Sequence, residues 1–466
     1  MSAGAKAVAE PASFAFGAAR AWPRTERRAE PRPAAVQPAR CQGSAARQAL
    51  TVFFVRSVSA GLLYLSQIAL ARWMGAYDYG VYVLVWTWVL VLGNLSNLGL
   101  STAVVRLVPQ HRARGEDAAL RGLFFAGRLL VVTVASGIAL IGFGVLACLG
   151  EQVATPYLVP ALLGLICLPI VTLIDIQDGM ARARGLMALG LLPPYVLRPL
   201  LLLGLLAAAQ AAALPVTARS GIGAAILASL GAVMVQSLLL RRQLQRDLPR
   251  GPRRYALAHW LKTALPFWLI LACDLTLQNA DVLVVSASLG PAEAGMYFAA
   301  AKTMGLVLFV HYAVGSAMAP RFVALDARGD RAGLGVAMAK ATHWIFWPSL
   351  AGACAILLAG RAILALFDPQ FAAAYPVMGI LALGLVARAA LGPADVVLNM
   401  LGQGAACARI VLVAAALNVG LSVVLVPVLG LAGAAAATSL ALFAAAAGNC
   451  ALARRRLNVR TAIWDA

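Results

Sequence analysis

The sequence predicts an all-α integral membrane protein of about twelve transmembrane helices, set as two six-helix bundles related by an internal repeat. Three observations predict it. The 466 residues are 62% hydrophobic and only 12% charged, and the mean hydropathy of +0.84 exceeds what a soluble core of this size needs. Apolar runs of about 20 residues, each long enough to cross roughly 30 Å of hydrocarbon as a helix, recur along almost the whole chain. A duplication 215 positions apart links the two halves. A β-barrel would instead alternate apolar and polar residues in segments of roughly ten, a pattern the chain does not show.

Residues 1–48 are rich in Ala, Pro and Arg and lack an apolar h-region. They read as a disordered basic tail, not as a cleaved signal peptide, with a mis-assigned start codon as the other reading. The N-terminal bundle, 49–240, takes six spans: 49–71, 79–105, 122–149, 157–178, 188–213 and 221–240. Spans 1 and 2 turn at "MGAYDYG". Span 4 carries Pro160 and Pro169 and span 5 Pro193 and Pro194, each able to bend its helix by removing a donor. A linker, 241–262, is basic and Gly-bearing, with an amphipathic interfacial stretch expected around Tyr255 to Leu261. The C-terminal bundle, 263–452, takes spans 263–288, 294–319, 342–360, 373–393, 409–428 and 431–452, before a tail, 453–466.

The repeat is read by sliding the chain on itself. Gly75 falls on Gly290, Asp78 on Glu293, Gly80 on Gly295, Tyr82 on Tyr297, Ser101 on Ser316 and Arg106 on Arg321. Hydrophobicity alone does not dictate Gly, Tyr, Arg and acids at matched positions. Equivalent helices lie six spans apart, an even number, so the halves share one orientation about an axis along the membrane normal, as in parallel-repeat transporters.

Thirty of the 38 Lys and Arg residues fall in the tails and in alternate loops, against Arg72, Arg219 and Arg361 in the opposite loops. The positive-inside rule then puts both termini in the cytoplasm. The net charge of +20 suits anionic headgroups and does not call for nucleic acid. Seven cysteines, odd in number and mostly within spans, imply neither disulfide nor metal site. No GxxxxGK[ST], HExxH or GxSxG is present, so no ATPase or hydrolase chemistry is expected, and no cofactor.

An ionisable side chain deep in a span costs roughly 2.5–3.5 kcal/mol, so each needs a reason. Arg56, Arg198 and Arg388 fit one cationic inner wall suited to a pyrophosphate. Snorkelling to the headgroups is the alternative for Arg388 and the preferred reading for Arg128. Asp281 and Lys302 stand at equal depth in the hairpin of spans 7 and 8, fitting either a titrating or a static ion pair. Asp274, beside Gln278 and Asn279, makes span 7 the most polar. His311 and His343 read as packed or interfacial. Asp175, Asp178 and Asp395 complete the set.

The blocks "ARWMGAYDYGVYVLVWTWVLVLGNLSNLGLSTAVVRLVPQHRARGED", "VLRPLLLL", "DVLVVSASLGPAEAGMYFAAAK", "LFDPQFAAAYPVMGILALG" and "LNVGLSVVLVPVLGLAGAAAATS" resemble polysaccharide flippases of the O-antigen translocase type, in the multidrug/oligosaccharidyl-lipid/polysaccharide exporter superfamily. The likeness runs from about residue 48 to 458. It implies a V-shaped pair of bundles around a central cavity, in a bacterial inner membrane. It also implies movement of an undecaprenyl-pyrophosphate-linked oligosaccharide to the periplasmic leaflet for O-antigen, capsule or exopolysaccharide, alongside polysaccharide polymerase and chain-length proteins. Arg56, Lys302 and Asp281 fall where that family often carries cavity charges. The rival within the superfamily is an ion-coupled multidrug or metabolite exporter.

Overall fold

The computed structural model describes residues 42–149, 155–248 and 251–465, with side chains from Val58 onward. Residues 48–466 form one compact unit. The tail expected over 1–48 lies almost wholly outside the described residues. Among them the chain is helical and has no strand, the arrangement that satisfies every backbone polar group without water. Eleven helices are long and apolar enough to cross a membrane, and the chain is a multi-pass membrane protein. Large apolar side chains at Leu358 and Leu383, 90% and 74% exposed, form part of the surface such a protein turns to lipid.

The first of these helices contains two crossings. Helix α1 (Gln42–Ser96) leaves helical geometry at Gly75, φ 76° and ψ 169°. Tyr79 donates its hydroxyl to Gln67 at 3.0 Å, although residues twelve apart in a straight helix stand about 18 Å apart. The chain therefore reverses at Gly75, and the predicted twelve crossings result. Its duplicate Gly290 takes the same conformation, φ 105° and ψ 176°, between α8 (Leu257–Leu289) and α9 (Pro291–Gly305). Only glycine adopts this region freely, which is why the repeat keeps it.

The second crossing continues as α2 (Leu100–Ala113) after a break in which Leu98 and Gly99 both take positive φ. Then come α3 (Asp117–Leu149), α4 (Thr155–Ala183), α5 (Met187–Leu192), α6 (Arg198–Ala211) and α7 (Ala218–Asp247). Between α5 and α6, Pro193–Leu197 winds as a π-helix, with the Arg198 N–H reaching back to the Pro193 carbonyl. The two prolines bend this crossing without ending it. Asp78 caps α7 from outside by accepting the Ala218 N–H at 2.9 Å. Helices α10 (Leu308–Ala327), α11 (Arg331–Phe367), α12 (Tyr375–Ala390), α13 (Ala394–Met400), α14 (Gly404–Leu429) and α15 (Leu431–Leu457) complete the second half.

Packing is dense within each half, α3 on α4 and α4 on α7 in the first, α8 and α15 on α14 in the second. The halves also meet at both ends. At the hairpin end one apolar cluster takes Tyr79 and Tyr82 from the first half and Tyr297, Phe367 and Phe371 from the second. There Gly80 lies against Pro291 and Gly295 so tightly that a Cβ on Gly80 would strike the Pro291 carbonyl. At the basic end the contact passes from α2 to α8. Trp260, 1% exposed, is planted in a cluster of first-half residues including Leu107, Leu123 and Met180. The stretch expected to lie as an interfacial helix around Tyr255 to Leu261 is instead the approach to and first turn of α8, because burying Trp260 between the halves outweighs leaving it at the headgroups.

Candidate functional site

A cavity of about 370 Å3 with several polar side chains in its lining lies in the second half, walled by α8, α10 and α12–α15, with Thr102 of α2 on one side. Asp274 enters from the middle of α8, and His311 and Tyr312 from α10. Arg388 comes from the last turn of α12. Gly392, at φ 73° and too close to Thr342 to carry a side chain, turns the chain into α13, which delivers Asp395 and Asn399. Asn449 interrupts the alanine-rich α15.

One acid engages both His311 and Arg388. His311 Nε2 lies 3.3 Å from Asp395 Oδ1, and Arg388 Nη2 donates to Asp395 Oδ2 at 3.4 Å. Asp395 sits in the connection outside the spans. Burial there opposes its ionisation, but the His311 bond and the neighbouring charges of His311 and Arg388 outweigh it and bring the carboxyl to about 2. Asp274 is exposed to the cavity and accepts only the Gln278 amide, at 2.6 Å. Among the cavity-lining residues, His311 Nδ1 and Asn449 Oδ1 are buried and have no hydrogen-bond partner.

Arg198 is elsewhere. Released by the π-turn, its guanidinium lies 4.7 Å from the Trp86 ring centroid, within cation–π reach. Trp86 in turn stacks on Tyr82 at 6.2 Å. Asp175 is an electrostatic neighbour of this arginine. Of the cationic wall expected of Arg56, Arg198 and Arg388, Arg198 belongs to the first half, and Arg388 is held by Asp395 in the second. Arg56 lies on α1, but its side chain falls outside the described residues.

Asp281 and Lys302 are charge neighbours, yet no ion pair joins them among the described residues. Asp281 accepts the Tyr297 hydroxyl at 2.7 Å, the Thr438 hydroxyl at 3.0 Å and the Val282 N–H at 2.8 Å. Its oxygens are taken, so Lys302 turns to the Phe298 ring at 4.9 Å. Of the expected site residues, Arg388 and Asp274 come together in one cavity; Arg198, Lys302 and Asp281 do not join them. The sequence reading did not single out Asn399, Asn449 and Tyr312, and His311, read as packed or interfacial, is buried at the lining. The signal for Asn449 was available as the lone amide in "AAAAGNCALA".

A family model described as polysaccharide biosynthesis protein matches residues 45–325. No curated protein matches the sequence. Among solved structures, the inward-facing conformation of a multidrug resistance MATE family transporter of the MOP superfamily superposes with TM-score 0.69 at 17% identity, over 87% of this chain and 98% of that one. The lipid II flippase MurJ, in an inward closed conformation, gives 0.67 at 13% identity over 87% of each chain. A MOP superfamily transporter from Pyrococcus furiosus gives 0.63 at 17%, over 88% and 95%. At such identities the likeness establishes a shared fold.

Proposed function

The chain belongs to the polysaccharide biosynthesis protein family, and on that premise we propose that it carries a polyprenyl-pyrophosphate-linked oligosaccharide across the inner membrane by alternating access. The observation that carries this reading is the family match over residues 45–325. The basic end, with 30 of 38 Lys and Arg on its side, is taken as cytoplasmic, with both termini there. The two seams between the halves serve as gates: Gly80 against Gly295 on the periplasmic side, and α2 against α8 on the cytoplasmic side. Rocking of one half against the other opens them in turn.

Arg56, Arg198 and Lys302 are the cations offered to the pyrophosphate. Arg198 lies over the Trp86 ring, and its fork of donors suits phosphate oxygens. Arg388 orders the second-half cavity through Asp395. The polyprenyl tail stays in lipid between the halves. Asp281 is the buried acid to consider for ion coupling, though its three donors favour a static role. Polymerase and chain-length proteins are the partners this function implies.

One observation favours the rival reading, an ion-coupled exporter of organic cations: Asp274 and Asp395 both line the cavity. Mass spectrometry of lipid extracts from a depleted strain separates the two. Accumulation of a lipid-linked oligosaccharide with loss of surface polysaccharide is the expected result. An unchanged lipid-linked pool with raised sensitivity to cationic drugs supports the exporter.

A further inference from the structure

We infer that the groove between α14 and α15 at the basic end binds an anionic phospholipid of the surrounding bilayer, with its phosphate held by Arg409 and Arg456 and an acyl chain laid along Ile410 and Val413. The site is separate from the second-half cavity and does not depend on the nature of the cargo.

The groove holds about 420 Å3 on one face of this helix pair. Cys407, Val411 and Ala445 of the same helices line the cavity described above, whereas Ile410, Val413, Ala444 and Gly448 line the groove. Its floor is made of small residues. Ala406 and Ala414 are buried there, and Gly448 brings α15 so close to α14 that a Cβ on it would stand 2.9 Å from Ile410 Cγ2. Val413, 68% exposed, marks the open side, which belongs to the apolar surface turned to lipid. Depth follows from the helical rise. Counted from the Gly430 turn that joins α14 to α15, Val413 and Gly448 lie at about 25 Å, Arg409 at about 31 Å and Arg456 at about 39 Å. Val428 and Leu429 beside that turn are exposed apolar residues, so a hydrocarbon layer roughly 30 Å thick that starts there covers the apolar lining and leaves both arginines among the opposite headgroups.

Charge selects the occupant. Arg409 and Arg456 line the groove, and no acid is among the described residues that do. Arg456 is held in place by donating Nη1 to Gln403 Oε1 at 2.6 Å, a partner that brings no charge. Arg409 joins no ion pair among the described residues. Two such forks match phosphate oxygens bidentately, and basic pockets between helices at headgroup depth are sites for anionic lipids. Snorkelling accounts for each arginine alone, but not for an apolar groove that continues below the pair. A phosphatidylglycerol fills both parts, with one net negative charge at the arginines and a chain beneath. A choline headgroup would set a third cation beside the two arginines, and a free phosphate would leave the apolar part empty.

The test uses the full chain in a neutral detergent and three probes: dioleoyl phosphatidylglycerol, dioleoyl phosphatidylcholine and glycerol 1-phosphate. Native mass spectrometry should show phosphatidylglycerol retained and phosphatidylcholine not, and thermal melting should rise with phosphatidylglycerol alone. Arg409→Gln and Arg456→Gln should each weaken retention about tenfold. Both positions are exposed, where substitution leaves the fold nearly as stable. Arg328→Gln, which removes the same charge at an exposed position of the basic end outside the groove, should leave retention unchanged. Ala444→Phe fills the apolar part and should weaken retention with both arginines intact. Equal retention of the two phospholipids overturns the inference, as does an equal loss in Arg328→Gln and Arg409→Gln. Retention unchanged by Ala444→Phe, or a melting shift as large with glycerol 1-phosphate, would make the arginines a plain phosphate site and overturn the lipid assignment.

Discussion

Gly80 and Gly295, equivalent positions of the internal duplication, meet each other at the hairpin end: a Cβ built on Gly295 would stand 3.1 Å from the Gly80 Cα. The repeat is therefore more than a record of ancestry. It puts a glycine on each side of the seam where backbones touch, and the halves close there because neither carries a side chain.

Gly80→Leu should hold that seam apart. The side chain must displace the Pro291 carbonyl, and overpacking of this kind costs about 1–3 kcal/mol. In a chain otherwise free of cysteine, a cysteine replacing Thr303, whose hydroxyl contacts Tyr64 across the seam at 2.8 Å, should react faster with an impermeant maleimide added from the periplasm. An unchanged labelling rate would mean that the seam does not depend on this contact.

Trp260 ties the other end. It lies in the first-half cluster and directs Nε1 to His111 Nε2 at 3.4 Å. Trp260→Ala should cost about 3–5 kcal/mol, read as a lower melting temperature in detergent, whereas the exposed Trp344 changed to Ala should melt like wild type.

Acid should loosen the protein through two carboxylates at the basic end. His111 holds Glu116 below the usual carboxylate range by a 2.6 Å bond, and Asp395 sits at about 2. Because both folded values are depressed, the stabilisation they give is complete above the ordinary range near 4. It fades as pH falls through the folded values. Melting temperature should fall from pH 4 towards pH 2, and Asp395→Asn should flatten part of that slope.

Asp281 is an acceptor for three donors, so truncation and isosteric change should differ. Asp281→Ala leaves the buried Tyr297 hydroxyl and the part-buried Thr438 hydroxyl with only their 3.3 Å contact to each other and should cost about 1–3 kcal/mol. Asp281→Asn keeps one oxygen and should cost less. Lys302→Gln should leave stability nearly unchanged, since no ion pair joins it to Asp281. Equal losses for Asp281→Ala and Lys302→Gln in thermal melts would restore the ion pair.

Much of the fold was legible because membrane helices announce themselves by length and hydropathy, and because positive φ at Gly75 and Gly290 demands glycine. The break at Leu98 and Gly99 was not legible. It depends on α8, whose Trp268 Nε1 donates to the Leu95 carbonyl at 2.9 Å and whose backbone at Ala264 comes within 2.5 Å of a Gly99 Cβ. The site divided in the same way. Arg388 and Asp274 stood out as charges in apolar runs, but the partner of Arg388 became visible only once Gly392 had turned α13 beneath the cavity. Asn449 carries no charge, and its unmatched oxygen is one that only the packed helices reveal.

The most direct test of the account is translocation in proteoliposomes. Lipid-linked oligosaccharide extracted from the depleted strain is reconstituted with the purified chain, and the fraction of glycan open to an impermeant lectin or to periodate is followed in time. The account predicts that wild type exposes the glycan initially hidden in the inner leaflet, and that Gly80→Leu slows this at least about tenfold. Exposure no faster than in protein-free liposomes, by a protein whose melting shows it folded, would contradict it.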